Sequence, residues 1–123
     1  DWKTLVRATV ESVAYQSYDL FNSMNKDGLK PKIIKIDGGM VANNWFSQFL
    51  SDIINLQVIR PKILETTALG VALFAGYKSG VFKSLKEITR LWQKDRDFRP
   101  KISKANRNNL IKGWNLAIKR TLV

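Results

Sequence analysis

Apolar residues recur through the start of the chain with the period of a helix. Between residues 2 and 24 they fall at spacings of three, four and seven, which places them on one face; they are Val6, Val10, Val13, Leu20, Phe21 and Met24. The pattern predicts a helix from Trp2 to about Met24, ended by the turn-forming residues 25–28. Neither a loop with a capping residue nor an initiator Met stands ahead of this helix, so we expect the chain to be cut from a longer one.

An isoleucine-rich segment, residues 32–37, predicts a strand. Its side chains alternate between two faces, with Ile34 and Ile36 on one and Ile33 on the other. Apolar residues on both faces favour a strand that is covered on both sides, as in the parallel or mixed sheet of an α/β protein. The glycine pair Gly38-Gly39 ends this strand.

The rest of the chain shows the same two patterns, the helical period and the alternation of a strand. Asn43 and Asn44 are suitable N-cap residues for a helix whose apolar stripe runs to Ile54, and Asn55 can adopt the left-handed turn that ends it. The remaining predicted elements are a strand at Gln57–Arg60 closed by Pro61, helices at about Thr66–Ser79, Ser84–Gln93 and Lys104–Leu122, and a loop at Asp95–Pro100.

Small residues line one face of the predicted Thr66–Ser79 helix; they are Ala68, Ala72, Ala75 and Gly76. A face of this kind lets a helix sit close against a sheet or another helix, so we expect it to be packed.

The order of the elements indicates an α/β fold, with helices packed on a small mixed sheet. The sequence predicts only two short strands, and two short strands do not form a stable sheet alone. We therefore expect the sheet to be incomplete in this chain and to be completed by other sequence or by a partner.

The formal charge of +11 raises the possibility of nucleic-acid binding. The excess is C-terminal: residues 1–60 carry seven basic and six acidic side chains, and residues 61–123 carry fourteen and four. It is also rich in lysine, with 14 Lys against 7 Arg, whereas bidentate phosphate and base recognition favours arginine. This distribution favours a solvated basic face and no nucleic acid. A basic binding module that uses Trp92, Trp114 and Arg107 stays open as an alternative.

Other functional classes are disfavoured by what the composition lacks. With no Cys and no His, the chain can form neither a disulfide framework nor a zinc site of the usual ligands. The richest apolar stretch is interrupted by Lys78 and Lys83, so we predict no membrane span. The first residues do not resemble a secretory signal, and a cytoplasmic location is expected.

The segment Ile33–Asn44 is the strongest candidate for chemistry. It is a strand that ends in two glycines and continues as a capped helix. Gly38 and Gly39 lack a Cβ and let the main chain approach a ligand closely, and a helix N-terminus attracts anions. The amide of Asn43 can both donate and accept, as the edge of a purine requires. The spacing alone leaves two interpretations open, a plain strand-to-helix turn and a nucleotide-binding loop.

Several motifs resemble one known family when taken in order. They are Arg7–Tyr15, Asp37-Gly38-Gly39, Asn43-Asn44, Gln48, Asp52, Arg60-Pro61, Glu65–Gly70, Asp97–Pro100 and Gly113-Trp114. Together they are similar to the C-terminal domain of glycerol kinases, which belong to the carbohydrate-kinase family with the actin-like (ribonuclease H-like) ATPase fold. The resemblance covers nearly the whole chain.

The resemblance implies an enzyme that transfers the terminal phosphoryl group of ATP to glycerol with Mg²⁺, and that forms a homo-oligomer. It implies that residues 1–123 are the C-terminal part of the second, nucleotide-side domain. Gly39 would contact ATP or ADP through its main chain, Gly38 would shape the turn, and Asn43 would contact the adenosine. The catalytic aspartate, the polyol-binding residues and most of the metal site would lie upstream of this chain.

The acidic residues that could be considered as replacements for a catalytic carboxylate are Asp19, Asp27 and Asp52. Their positions on the polar sides or at the ends of helices predict solvated surface charges. We therefore expect no catalytic and no metal-binding residue here, and an isolated chain that is inactive. An inactive remnant of a split kinase is a further alternative.

Overall fold

The computed structural model describes residues 1–122. The helices are α1 (Trp2–Lys26), α2 (Asn44–Ile54), α3 (Thr66–Lys78), α4 (Leu85–Arg90) and α5 (Lys104–Thr121). The strands are β1 (Ile33–Lys35), β2 (Gln57–Pro61) and β3 (Lys94–Phe98), and a short 3₁₀ turn spans Gly39–Ala42. The α/β class predicted from the sequence is confirmed.

The sheet has three strands in the order β1-β2-β3. The central strand β2 runs parallel to β1 and antiparallel to β3, so the sheet is mixed as expected. The prediction that Asp95–Pro100 is a loop was wrong, because β3 pairs with β2 through this segment. Only Phe98 of β3 is buried, and the charged residues before it lie on an exposed edge where backbone pairing rather than apolar burial determines the strand.

The core lies where α1 and α2 pack together on the sheet. Its buried residues are Ala14, Val41, Phe46, Leu50, Ile54, Val58 and Phe98. Tyr15 extends the core toward α5, since its ring stacks on Trp114 at 5.3 Å and meets Phe49 edge-on at 5.7 Å. Helix α2 contacts both α1 and strands β2 and β3.

Side-chain caps set the ends of several helices. Asp1 caps α1 by accepting a hydrogen bond from the backbone of Thr4 at 2.9 Å, a cap that was not assigned from the sequence. Asn43 caps α2 as predicted. Asn55 ends that helix with φ 58° and ψ 39°, the left-handed conformation that its sequence position indicated.

Two predictions of close packing do not hold within residues 1–122. Ile33 is 51% exposed, so β1 is covered on the face of Ile34 but not on both faces. No residue of α3 is buried, and Phe74 on that helix is 64% exposed. The small residues bring α3 close only to the segment after it, where a Cβ added to Gly76 would lie 2.8 Å from the ring of Phe82.

No helix within residues 1–122 is both long enough and apolar enough to cross a membrane.

Candidate nucleotide-binding site

The turn between β1 and α2, residues 38–43, is called here the glycine turn. Gly38 has φ 91° and ψ 169°, a conformation open almost only to glycine. Its backbone N–H donates to the carbonyl of Leu64 at 2.9 Å. Just before the turn, the carboxylate of Asp37 accepts a hydrogen bond from the hydroxyl of Thr66. These contacts tie the turn to the start of α3.

Gly39 begins the 3₁₀ turn and is exposed. A Cβ added there would meet nothing within 4 Å, so the space over its main chain is open. This is the arrangement that close approach of a ligand to bare backbone requires.

Asn43 uses one end of its amide to cap α2. Its Oδ1 accepts from the backbone N–H groups of Trp45 at 2.9 Å and Phe46 at 3.3 Å. Among residues 1–122 no hydrogen bond from Nδ2 is formed, which leaves that end of the amide to donate to a ligand. The predicted cap and the predicted ligand contact are therefore compatible, because they use different atoms.

Asn43 also lines a cavity of about 360 Å³ between the first turns of α1 and α2. Its walls are Trp2, Lys3, Val6, Arg7, Val10 and Trp45. The Arg7 guanidinium lies 5.7 Å from the centroid of the Trp45 ring and pairs with Glu11 at 2.6 Å. The hydrogen bond and charge of Glu11 raise the pKa of Arg7, so the guanidinium stays protonated and paired with that carboxylate.

A buried arginine that the sequence did not single out as functional holds the turn in place. Arg60, 8% exposed, donates from Nη1 to the carbonyls of Val41 at 2.8 Å and Ala42 at 3.1 Å. Its Nε and Nη2 donate to Oδ2 of Asp95 at 2.8 and 2.6 Å. The one available signal was an arginine directly after the apolar pair Val58-Ile59, within the Arg60-Pro61 motif.

The structure gives two of the three considered carboxylates structural roles. Asp52 is only 6% exposed, and its Oδ1 accepts from the backbone of Lys101 at 2.6 Å and from Gln48 at 3.1 Å. The prediction that Asp52 is a solvated charge was wrong, because its side chain is buried and bonds to the segment after β3. Asp19 is half-buried and accepts from the Trp114 indole at 2.8 Å. Asp27 is exposed, as predicted.

All three residues suggested for a basic binding module have internal partners. The centroid of the Trp92 ring lies 4.0 Å from Nζ of Lys35. The ring of Trp114 is stacked on Tyr15, and its N–H is bonded to Asp19. Arg107 donates to Oδ1 of Asn55 at 2.6 Å. These contacts remove a base-stacking platform from the α5 face and weaken that alternative.

Replacing each glycine of the pair by alanine tests the geometry of the turn. Gly38→Ala is expected to lower the free energy of unfolding by about 1–3 kcal/mol, because an L side chain is strained at its φ and ψ. Gly39→Ala should change it by less than about 0.5 kcal/mol, since the added methyl enters open space. Urea unfolding followed by circular dichroism measures both. Equal losses in the two variants would contradict this description of the turn.

Residues 1–79 match the FGGY family of carbohydrate kinases, C-terminal domain. The chain belongs to this family.

Within the family, the chain is similar to glycerol kinases. It is 50% identical over 119 residues to the glycerol kinase of Gluconobacter oxydans, covering 96% of this chain and 23% of that protein. It is 47% identical to the glycerol kinase of Coxiella burnetii over 118 residues, covering 96% and 24%. The chain thus spans about a quarter of the length of these relatives.

Solved kinase structures also match the chain. The chain matches the crystal structure of Plasmodium falciparum glycerol kinase with ADP at a TM-score of 0.78 and 36% identity, over 96% of this chain and 24% of that one. It matches a ligand-bound xylulose kinase from Lactobacillus acidophilus at a TM-score of 0.70 and 22% identity, with the same coverage, and this likeness concerns the fold alone.

Proposed function

We propose that this chain is the C-terminal, nucleotide-binding portion of a glycerol kinase, with residues 1–123 forming part of its nucleotide-side domain. The glycine turn carries the proposal, since it combines open main chain at Gly39 with an outward amide donor at Asn43. The 36% identical relative whose structure contains ADP supports a nucleotide as the ligand.

The proposed reaction transfers the γ-phosphoryl group of ATP to a hydroxyl of glycerol and gives glycerol 3-phosphate. In this reaction the chain binds and orients the adenosine end of the nucleotide. Gly39 approaches it with main chain, Gly38 sets the bend, and the Nδ2 amine of Asn43 donates to an acceptor on the adenosine. Holding one end of ATP places its other end for in-line transfer, and positioning is a large part of phosphoryl-transfer catalysis.

Magnesium, when bound, neutralises charge on the transferred phosphates. Within the described residues 1–122, no three His, Cys, Asp or Glu side chains come together as metal ligands. We propose, as the resemblance to glycerol kinases implies, that the ligands lie mainly in the rest of the enzyme. A homo-oligomeric enzyme in the cytoplasm remains our prediction.

Substituting Asn43 tests the proposal in the complete kinase, meaning the polypeptide that would contain this chain as its C-terminal quarter. Asn43→Ala is expected to weaken ADP binding by about 1–2 kcal/mol, roughly 5–30-fold, through the lost amide contact. Because alanine also removes the α2 cap, Asn43→Ser is the sharper variant: serine still caps the helix but lacks the amide. Titration calorimetry with ADP measures both affinities.

Asn44→Ala is the matched control, because this neighbouring asparagine is also exposed but stands inside the first turn of α2. It should leave ADP affinity within about twofold of the parent, as expected for a surface position outside the site. If Asn43→Ser binds ADP as tightly as the parent and the control do, the role of Asn43 is removed.

A further inference from the structure

We propose that Arg60 is a positioning residue for the nucleotide, which acts by fixing the glycine turn through its ion pair with Asp95. The inference rests on the proposed function of that turn. Arg60 belongs to β2, Asp95 belongs to β3, and the turn precedes α2, so one guanidinium joins three separate segments.

The contacts use the shape of the guanidinium. Three of its atoms make four hydrogen bonds of 2.6–3.1 Å, two to Asp95 and two to the carbonyls of Val41 and Ala42. A planar fork can satisfy a carboxylate and two carbonyls at once, whereas the single nitrogen of lysine cannot hold the same set in fixed directions. Arg60 is nearly buried, so these bonds are shielded from competing water.

The strand geometry directs the side chain toward the turn. The pairing of β2 with β3 shifts register between Arg60 and Pro61. An irregularity of this kind bends a strand and re-aims a neighbouring side chain. Asp95 is 41% exposed at its side chain, so it serves as the outer anchor while Arg60 reaches inward.

The two carbonyls that Arg60 holds are adjacent to the proposed ligand contacts. Ala42 directly precedes Asn43, and Val41 lies two residues after Gly39. Rotation of either peptide unit would therefore move the capping amide of Asn43 or the open main chain of Gly39. A binding group displaced by a fraction of an ångström loses affinity, because productive geometry tolerates only about 0.5 Å. Arg60 thus acts on the nucleotide without touching it.

Arg60→Lys in the complete kinase tests the inference. We expect the ADP dissociation constant and the KM for ATP to rise about tenfold, while the KM for glycerol stays within about twofold, because the turn is at the nucleotide side only. Asp95→Asn, which keeps the size of the side chain, should give about a threefold rise in the same two constants. It also keeps the inference testable if Arg60→Lys fails to fold.

Arg96→Lys is the matched control, since Arg96 is the cross-strand neighbour of Arg60 in the sheet but is exposed. It should leave all three constants within about twofold of the parent. The double variant Arg60→Lys with Asn43→Ser supplies a second readout. If Arg60 acts through the turn, the double variant should bind ADP only about 10–30-fold more weakly than the parent, well short of the product of the two single effects.

A purely structural role for Arg60 gives a different result. The melting temperature and the active fraction would fall, but the remaining active enzyme would keep its KM for ATP, and this outcome would overturn the inference. The two proposals also fail separately. If Asn43→Ser weakens ADP binding and the Arg60 and Asp95 variants do not, only the positioning role is lost. If none of them weakens it, the nucleotide site itself is misplaced.

Discussion

Incubated with ATP, magnesium and glycerol, the 123-residue chain by itself is expected to form no ADP above the enzyme-free blank. Phosphoryl transfer requires contacts that stabilise the phosphate charge and a carboxylate that accepts the proton of the attacking hydroxyl. The resemblance to glycerol kinases implies that both lie upstream of this chain, which spans about a quarter of the length of the relatives it matches.

Three carboxylates of the chain form hydrogen bonds or ion pairs within residues 1–122. Asp52 holds the backbone of Lys101, and Asp95 is paired with Arg60. Asp97 pairs with Lys94, whose charge and hydrogen bond lower the pKa of that carboxyl and make it a weaker base. Under the proposed function the chain would supply part of a nucleotide site, and we expect none of these three carboxylates to take the glycerol proton.

An assay that couples ADP formation to NADH oxidation measures this directly. The matched control is the complete kinase at the same molar concentration, which should turn over glycerol under identical conditions. Glycerol-dependent ADP formation by the chain alone would contradict the assignment of catalysis to the rest of the enzyme.

Phe98→Ala is expected to lower the free energy of unfolding by about 3–5 kcal/mol, the range for removing a buried aromatic ring. Phe98 is 5% exposed and ends β3 inside the core. Its ring also lies 5.4 Å from the Arg60 guanidinium, and its carbonyl accepts from Ser51 at 3.1 Å. Loss of the ring thus affects the strand edge, the core and the arginine that holds the glycine turn.

Phe74→Ala provides the matched comparison, because the same atoms are removed from a side chain that is 64% exposed on α3. Its effect should stay within about 0.5 kcal/mol. Urea unfolding of the chain, followed by tryptophan fluorescence, compares the two variants. Similar losses for Phe98 and Phe74 would show that β3 does not contribute to the core as described.

The sequence predicted the helices well because their apolar periods are long and their caps are local. Asn43 and Asn55 set the two ends of α2 in the conformations that their residue types favour. Strand β3 was missed because its charged residues hide the alternation of a strand, and only pairing with β2 reveals it. The face of small residues on α3 suggested close packing. Close packing also needs an opposing surface, which residues 1–122 supply only near Phe82.

In the candidate site, too, the local features could be predicted from the sequence and the long-range contacts could not. The glycine pair and Asn43 are neighbours in sequence, so their common turn could be predicted from local chemistry. The ion pair between Arg60 and Asp95 joins residues 35 positions apart. The hydrogen bonds from Arg60 to Val41 and Ala42 connect β2 with the glycine turn. A pattern read along the chain carries no information on such contacts, because they depend on which strands become neighbours.

The most direct test of the central claim is a crystal structure of the complete kinase with ADP. We expect the adenosine to lie against the main chain of Gly39, with the Nδ2 amine of Asn43 at hydrogen-bond distance from one of its acceptors. Clear density for ADP at another place, with residues 38–43 making no contact to it, would contradict the proposed nucleotide site.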